Sequence, residues 1–147
     1  MFTNILIPTD GSEFSEKVLK DGVELARATG ARITALHAYP KHRISPYGEF
    51  GPSDDVVEKQ VIESAVRDGN AFIDRIEAAA RPGKVKVERV IVQHDNPWQA
   101  IVETATAKGC DLIMMAAHGR RGLSALVLGS ETNKVLTHSK IPGLVYR

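Results

Sequence analysis

The chain alternates between short apolar runs and longer segments with helical periodicity. Five apolar runs, several of them rich in β-branched residues, are predicted to form strands at 2–7, 33–38, 85–92, 112–116 and 142–146. Several of these are apolar at nearly every position, which is typical of strands covered on both faces. Between them, apolar residues recur at helical spacing over 13–29 and 54–80. Further helices are predicted from Asn96-Pro97 onward and from Gly129-Ser130 to about Ser139.

This strict alternation predicts an α/β fold. We expect a three-layer α/β/α sandwich around a five-stranded parallel sheet. Right-handed crossovers favour the strand order 3-2-1-4-5, with the reversal between the first and fourth strands. The length of 147 residues predicts one domain over 1–147. Residues 40–53 hold three prolines and two glycines, and are predicted to be a long loop.

Composition and charge exclude several classes of protein. The 19 basic and 18 acidic residues give a net charge of +1, which argues against a generic nucleic-acid or polybasic membrane partner. Cys110 is the single cysteine, so no disulfide can form within the chain, and we expect it to be buried. The sequence shows neither a signal-peptide pattern nor an apolar run near the ~18 residues of a membrane span. A soluble, cytoplasmic protein is therefore expected.

Candidate chemistry follows the first and fourth predicted strands. Ligands of open α/β sheets bind beyond the carboxyl ends of the strands, where the strand order reverses. After the first strand, Asp10 could accept hydrogen bonds from ribose hydroxyls, or it could serve only the turn before Gly11. Ser12 and Ser15 open the first helix, and N-capping is the favoured interpretation for them.

The segment after the fourth strand has features of a phosphate-binding loop. Gly119 and Gly122 allow tight turns, and Gly129-Ser130 opens a helix whose free N–H groups attract anions. An ordinary glycine-containing loop, with Ser130 as a plain N-cap, is the alternative. The adjacent Arg120 and Arg121 would add positive charge, and residues 101–147 carry six basic but only three acidic side chains.

Two further observations limit the choice of function. Glu131 follows Ser130 and suits the helix dipole, but it opposes a bound anion. Neither G-x-G-x-x-G after a strand nor G-x-x-x-x-G-K-[ST] occurs, which argues against a dehydrogenase or a P-loop enzyme. No His or Cys pair has metal-ligand spacing, so no metal site built by the protein is predicted.

Four segments together resemble the universal stress protein family. They are ILIPTDGSEFS at 5–15, CDLIMMAAHGRRGL at 110–123, LGSETNKVL at 128–136 and IPGLVYR at 141–147. The resemblance implies an adenine-nucleotide-binding domain with the adenine-nucleotide α-hydrolase-like fold. It also implies a homodimer formed through the C-terminal strand, with Leu144 and Tyr146 as the contact residues.

The family's ATP-binding members carry the motif G-x₂-G-x₉-G-[ST]. Gly119 matches its second glycine and Gly129-Ser130 its end, whereas Ala116 stands at the first glycine. The resemblance further implies that Asp10 contacts ribose. It also places Pro8, Thr9 and Ala38 around adenine and Met115 beside the ribose.

The resemblance implies ATP or AMP as the ligand, with Mg²⁺ arriving on ATP phosphates. A nucleotide-binding stress-response protein is therefore the leading prediction. A slow ATP hydrolase, with Asp10 and His118 as its only plausible catalytic neighbours, and a nucleotide-free interaction module are the alternatives. No residue is assigned a catalytic role, because the sequence offers no dedicated acid–base pair and no activated nucleophile.

Overall fold

The computed structural model describes residues 1–41, 54–118 and 128–147. Strands and helices alternate along these residues as β1 (Asn4–Pro8), α1 (Glu13–Thr29), β2 (Arg32–Tyr39), α2 (Asp54–Ala80), β3 (Val87–Gln93), α3 (Pro97–Ala107), β4 (Leu112–Ala116), α4 (Ser130–His138) and β5 (Gly143–Tyr146). The five strands form one parallel sheet of order β3-β2-β1-β4-β5. The predicted fold class and the reversal between the first and fourth strands are confirmed.

Helices cover both faces of the sheet. Ile5, Ile7 and Ile33 point to one face and pack with residues of α1 and α2. Leu6 and Leu36 point to the other face and pack with residues of α3 and α4. Successive side chains of a strand point to opposite faces, so an apolar run with no alternation supplies both hydrophobic layers.

Helix α2 is longer than the sheet beneath it. Its 27 residues extend about 40 Å at 1.5 Å per residue, whereas the seven residues of β3 extend about 23 Å. Ile73, Ile76 and Ala80 in its C-terminal half are buried in the core. Val61, one of the apolar residues that recur at helical spacing over 54–80 and are expected to face the core, is 38% exposed. That part of the prediction is wrong, because the first turns of α2 extend past the strands.

The third strand begins two residues later than its apolar pattern predicted. The Val85 N–H donates to the Ala80 carbonyl at 3.2 Å, so Val85 closes the C-terminus of α2. Lys84 takes a left-handed conformation, φ 54°, in the connecting turn. Strand pairing then starts at Val87, which lies opposite Ile33 of β2.

A satisfied polar cluster fills the amino end of the sheet. Thr34 is fully buried and donates to Asn4 Oδ1 at 2.9 Å, and Asn4 Nδ2 donates to the Lys108 carbonyl at 3.0 Å. Asp111 accepts from the N–H groups of Thr3 and Asn4 at 2.8 and 3.0 Å. Within the described residues, no buried side-chain nitrogen or oxygen lacks a partner. This end of the sheet is therefore structural.

The described residues also show the environment of the single cysteine and the apolar character of the helices. Cys110 is buried as predicted, and burial raises the pKa of its thiol. None of the helices seen in 1–41, 54–118 and 128–147 has an apolar stretch long enough to cross a bilayer.

Candidate functional site

A cavity of about 240 Å³ opens at the carboxyl end of the sheet, where β1 and β4 separate. Its volume is close to the lower end of the ~300–1,000 Å³ typical of small-molecule sites. The described residues that line it are Pro8, Thr9, Asp10, Ser15, Leu36, Ala38, Pro97, Ile101, Met115, Ala116, His118, Glu131 and Thr132. The cavity occupies the position at which open α/β sheets bind ligands.

The structure brings more than half of the sequence-predicted site residues to this cavity. Those that line it are Pro8, Thr9, Asp10, Ala38, Met115, Ala116 and Glu131. Gly129 and Ser130 stand at the start of α4, directly before the lining residues Glu131 and Thr132. The remaining four, Gly119, Arg120, Arg121 and Gly122, lie outside the described residues.

Asp10 is held by the start of α1 while it faces the cavity. Its Oδ1 accepts from the Ser12 N–H at 2.9 Å and from the Ser15 hydroxyl at 2.8 Å. The first contact is an Asx turn, in which a side chain caps the backbone two residues later. The Ser12 hydroxyl accepts from the Ser15 N–H and caps α1, as predicted. Asp10 is thus both a turn residue and a cavity residue, with its orientation fixed by two hydrogen bonds.

Gly11 and His37 hold the loop that carries Asp10 in place, through contacts on the face of the sheet that lies away from the cavity. Gly11 has φ +75°, and a Cβ there would overlap the Phe72 ring, so glycine is favoured at this position. His37 Nδ1 lies 2.9 Å from the Thr9 carbonyl, and its ring meets Phe72 edge-on at 5.3 Å. His37 therefore supports the loop from below and does not line the cavity.

Apolar side chains form the walls of the cavity. Leu36 and Ala38 come from β2, and Met115 comes from the end of β4. Pro97 and Ile101 come from the first turns of α3. Apolar walls with a few convergent polar groups are the usual composition of a small-molecule site.

Ala116 occupies an ordinary strand position. It ends β4, pairs with Tyr146 of β5, and does not have positive φ. Its carbonyl accepts from the buried Thr132 hydroxyl at 3.0 Å. An alanine in place of glycine therefore adds one methyl group at this point without straining the backbone.

Gly129, by contrast, is needed for a close approach. Its N–H donates to the Ala117 carbonyl at 2.8 Å. A Cβ at Gly129 would lie 2.9 Å from that same oxygen. Its φ is −56°, so the requirement is space and not backbone conformation. The contact fixes the start of α4 against the end of β4.

Glu131 caps a helix other than its own. Its Oε2 accepts from the Trp98 N–H, in the first turn of α3, at 2.9 Å, and its Oε1 lies 3.1 Å from Lys134 Nζ. The N-cap residue Asn96 makes no side-chain cap and donates instead to Gln99 Oε1 at 2.8 Å. No sequence signal links Glu131 to Trp98, because they are 33 residues apart and meet only through the packing of α4 on α3.

The described lining of the cavity is acidic. Asp10, His118 and Glu131 are its only ionisable side chains within residues 1–41, 54–118 and 128–147, and none of its members there is a lysine or arginine. Ser15, His118 and Thr132 are largely buried, and the predicted ligand-binding residues include none of the three. No group of three or more His, Cys, Asp or Glu side chains in the described segments could hold a metal ion.

Known proteins match the chain over its whole length. The family model described as "Universal stress protein family" matches residues 1–147. A universal stress protein of Thermus aquaticus is 30% identical over 149 residues and covers all of both chains. Universal stress protein MJ0531 of Methanocaldococcus jannaschii is 27% identical, over all of this chain and 83% of the relative.

Solved structures share the fold. The structure of protein MJ0577, from the same archaeon, has a TM-score of 0.82 and 27% identity over 99% of this chain and 95% of the other. A universal stress protein in complex with cAMP gives a TM-score of 0.70 at 22% identity, over 99% and 97%. One from Archaeoglobus fulgidus in complex with dAMP gives 0.65 at 19%, over 99% and 98%. With the match of the family model over 1–147, these findings show that the chain belongs to the universal stress protein family.

Proposed function

We propose that the protein binds an adenine nucleotide, ATP or AMP, in the cavity at the carboxyl end of β1 and β4, and that occupancy alters its interactions in a stress response. The observation that carries this proposal is that Asp10 lines an apolar-walled cavity and that its carboxylate accepts two hydrogen bonds from the start of α1. Two proteins of the same fold are known in complex with cAMP and dAMP, which supports the ligand class.

The proposed pose follows the chemistry of the walls. Adenine packs among Pro8, Thr9 and Ala38, while the ribose lies by Met115 with its hydroxyls donating to Asp10. A carboxylate can accept several donors at once, so Asp10 can accept from a ribose hydroxyl in addition to the Ser12 N–H and the Ser15 hydroxyl.

The phosphates then extend toward the start of α4. The N–H groups of a helix N-terminus bind anions, and Gly129 and Ser130 begin this helix. Arg120 and Arg121, in the segment between β4 and α4, would add charge, and Mg²⁺ would be held by the ATP phosphates. Reversing both charges, Arg120→Glu with Arg121→Glu, should weaken ATP but not adenosine. Equal affinities would assign both arginines to the solvated surface.

Calorimetric titration with ATP, AMP and adenosine tests nucleotide binding directly. We expect saturable heat with a stoichiometry of about one per chain, because the described residues form one cavity of this size. Mass spectrometry of gently denatured protein should also detect ATP or AMP carried through purification. A folded sample with neither heat nor carried-over nucleotide would contradict the proposal and favour a nucleotide-free interaction module.

We also propose a homodimer formed through β5, in the cytoplasm. Among the described strands β5 is the last of the sheet, and nothing described pairs with its outer edge. Leu144 on β5 and Leu136 on α4 are 40% and 39% exposed, and an apolar strand edge favours pairing. Sedimentation should give twice the 16.0 kDa chain mass, and Leu144→Lys should restore 16.0 kDa. A wild type that sediments as 16.0 kDa at all concentrations would refute the dimer.

A further inference from the structure

Glu131 already occupies the positive end of α3. The first N–H groups of a helix lack intrahelical partners and attract anions. In α3 one of these groups, the Trp98 N–H, donates to Glu131 Oε2 at 2.9 Å. The side chain of the N-cap residue Asn96 makes no capping hydrogen bond. A carboxylate of the protein thus sits where a phosphate of a ligand would otherwise be stabilised.

Among the described residues, Lys134 is the one basic side chain that pairs with Glu131. This pairing at 3.1 Å joins two side chains that are 38% and 46% exposed, and solvent screens such pairs. Lys134 does not line the cavity, whereas Glu131 does. With Asp10 on the other side of the reversal, two carboxylates face the space that a nucleotide would fill.

We propose that Glu131 is a specificity-determining residue that favours adenine nucleotides with few phosphates, so that it lowers the affinity for ATP relative to AMP. The inference rests on the proposed adenine-nucleotide binding, and it identifies Glu131 as the residue that makes affinity depend on the number of phosphates. Each added phosphate brings negative charge toward the start of α4, where Glu131 is the second residue. The Coulomb repulsion rises with that charge, while the adenosine part of the ligand is unaffected.

The test separates the charge of Glu131 from its capping role. Glu131→Gln keeps an oxygen that can accept from the Trp98 N–H but removes the charge, and Glu131→Ala removes both. Glu103→Gln is the matched control, because Glu103 lies on α3 with its side chain 69% exposed and does not line the cavity. Adenosine, AMP and ATP are titrated calorimetrically into each variant and the wild type, at fixed salt, with and without Mg²⁺.

We expect Glu131→Gln to improve ATP binding relative to AMP by roughly threefold to tenfold, with adenosine unchanged. Glu131→Ala should shift the ratio in the same direction and also lower the Tm, because α3 loses its cap. Glu103→Gln should leave the ratio at its wild-type value.

Other outcomes identify what fails. An unchanged ATP-to-AMP ratio in Glu131→Gln, with adenosine still bound, would overturn this inference and leave adenine-nucleotide binding intact. A variant that binds Mg²⁺-ATP less well than the wild type would also overturn it, since Glu131 would then assist the cation. A folded wild type that binds none of the three ligands would overturn both proposals.

Discussion

Replacing Asp10 separates ribose recognition from the structure of the loop. Its Oδ1 accepts from the Ser12 N–H at 2.9 Å and the Ser15 hydroxyl at 2.8 Å. Asp10→Asn keeps an oxygen that can accept these bonds but removes the negative charge offered to a ligand. Asp10→Ala removes both functions. The two variants should therefore differ in stability while sharing a loss of nucleotide affinity.

The expected magnitudes follow from the hydrogen bonds. A hydrogen bond to a charged group contributes about 1.5–3 kcal/mol, so losing one ribose contact to Asp10 should raise the Kd for adenosine by roughly 10-fold to 100-fold. Asp10→Ala also leaves the Ser12 N–H and the Ser15 hydroxyl without this acceptor. It should cost about 1–3 kcal/mol of unfolding free energy, and Asp10→Asn much less.

The assay compares adenosine with 2′,3′-dideoxyadenosine by calorimetry, alongside urea unfolding of each variant. Asp10→Asn should weaken adenosine strongly and leave the dideoxy analogue, which lacks both ribose hydroxyls, nearly unchanged. Ser12→Ala is the control, because it removes the α1 cap without removing the carboxylate. Equal weakening of both ligands by Asp10→Asn would refute the ribose contact and leave only a loop-supporting role.

Three further predictions concern packing and pH. Gly129→Ala places a methyl 2.9 Å from the Ala117 carbonyl oxygen and should lower the free energy of unfolding in urea by about 1–3 kcal/mol. Gly143→Ala is the control and should lower it less, because its methyl meets only the Leu136 side chain. The reverse order would contradict the close approach at Gly129. Ile76→Ala in the core should lower the free energy of unfolding by about 2–5 kcal/mol. Val61→Ala, in the part of α2 that extends past the sheet, should change it by no more than ~0.5 kcal/mol. Equal losses would show that α2 packs along its whole length. Burial opposes the charged form of Asp111, but hydrogen bonds from Asn4 and Thr3 outweigh it and lower its pKa. Its stabilising effect is therefore complete above the unfolded pKa of about 3.9 and is lost as the pH falls through the folded pKa. The difference in unfolding free energy between wild type and Asp111→Asn should shrink from about pH 6 to about pH 3, and a constant difference would contradict this assignment.

Local signals in the sequence predict most of the elements. Helix α1 begins after the Ser12 cap and ends at Gly30, whose φ of 73° is left-handed. Cap residues and glycines act within a few positions of the helix end, so a sequence pattern can locate both ends. The apolar residues 112–116 form β4 as predicted, because a strand buried on both faces needs apolar residues at successive positions.

The candidate site is formed by residues that lie far apart in the sequence, so local signals predict it less completely than they predict the helices and strands. The resemblance to the universal stress protein family implies that Pro8, Thr9, Asp10, Ala38, Met115 and Ala116 lie near a ligand, and all six line one cavity. Ser15, His118 and Thr132 also line that cavity, but the predicted ligand-binding residues do not include them. Ser15 and Thr132 both have local hydrogen bonds that the sequence alone could not reveal. The Ser15 hydroxyl donates to Asp10, and the Thr132 hydroxyl donates to the carbonyls at the end of β4.

By itself, the sequence determined the order of the elements, the parallel sheet and its reversal, because periodicity, caps and crossover handedness act over short distances. Only the tertiary structure decided which residues meet across that reversal. Glu131 caps Trp98 from another helix, Gly129 touches the Ala117 carbonyl, and the first turns of α2 extend past the sheet. Such contacts depend on element lengths and packing in three dimensions, which no pattern along the chain records.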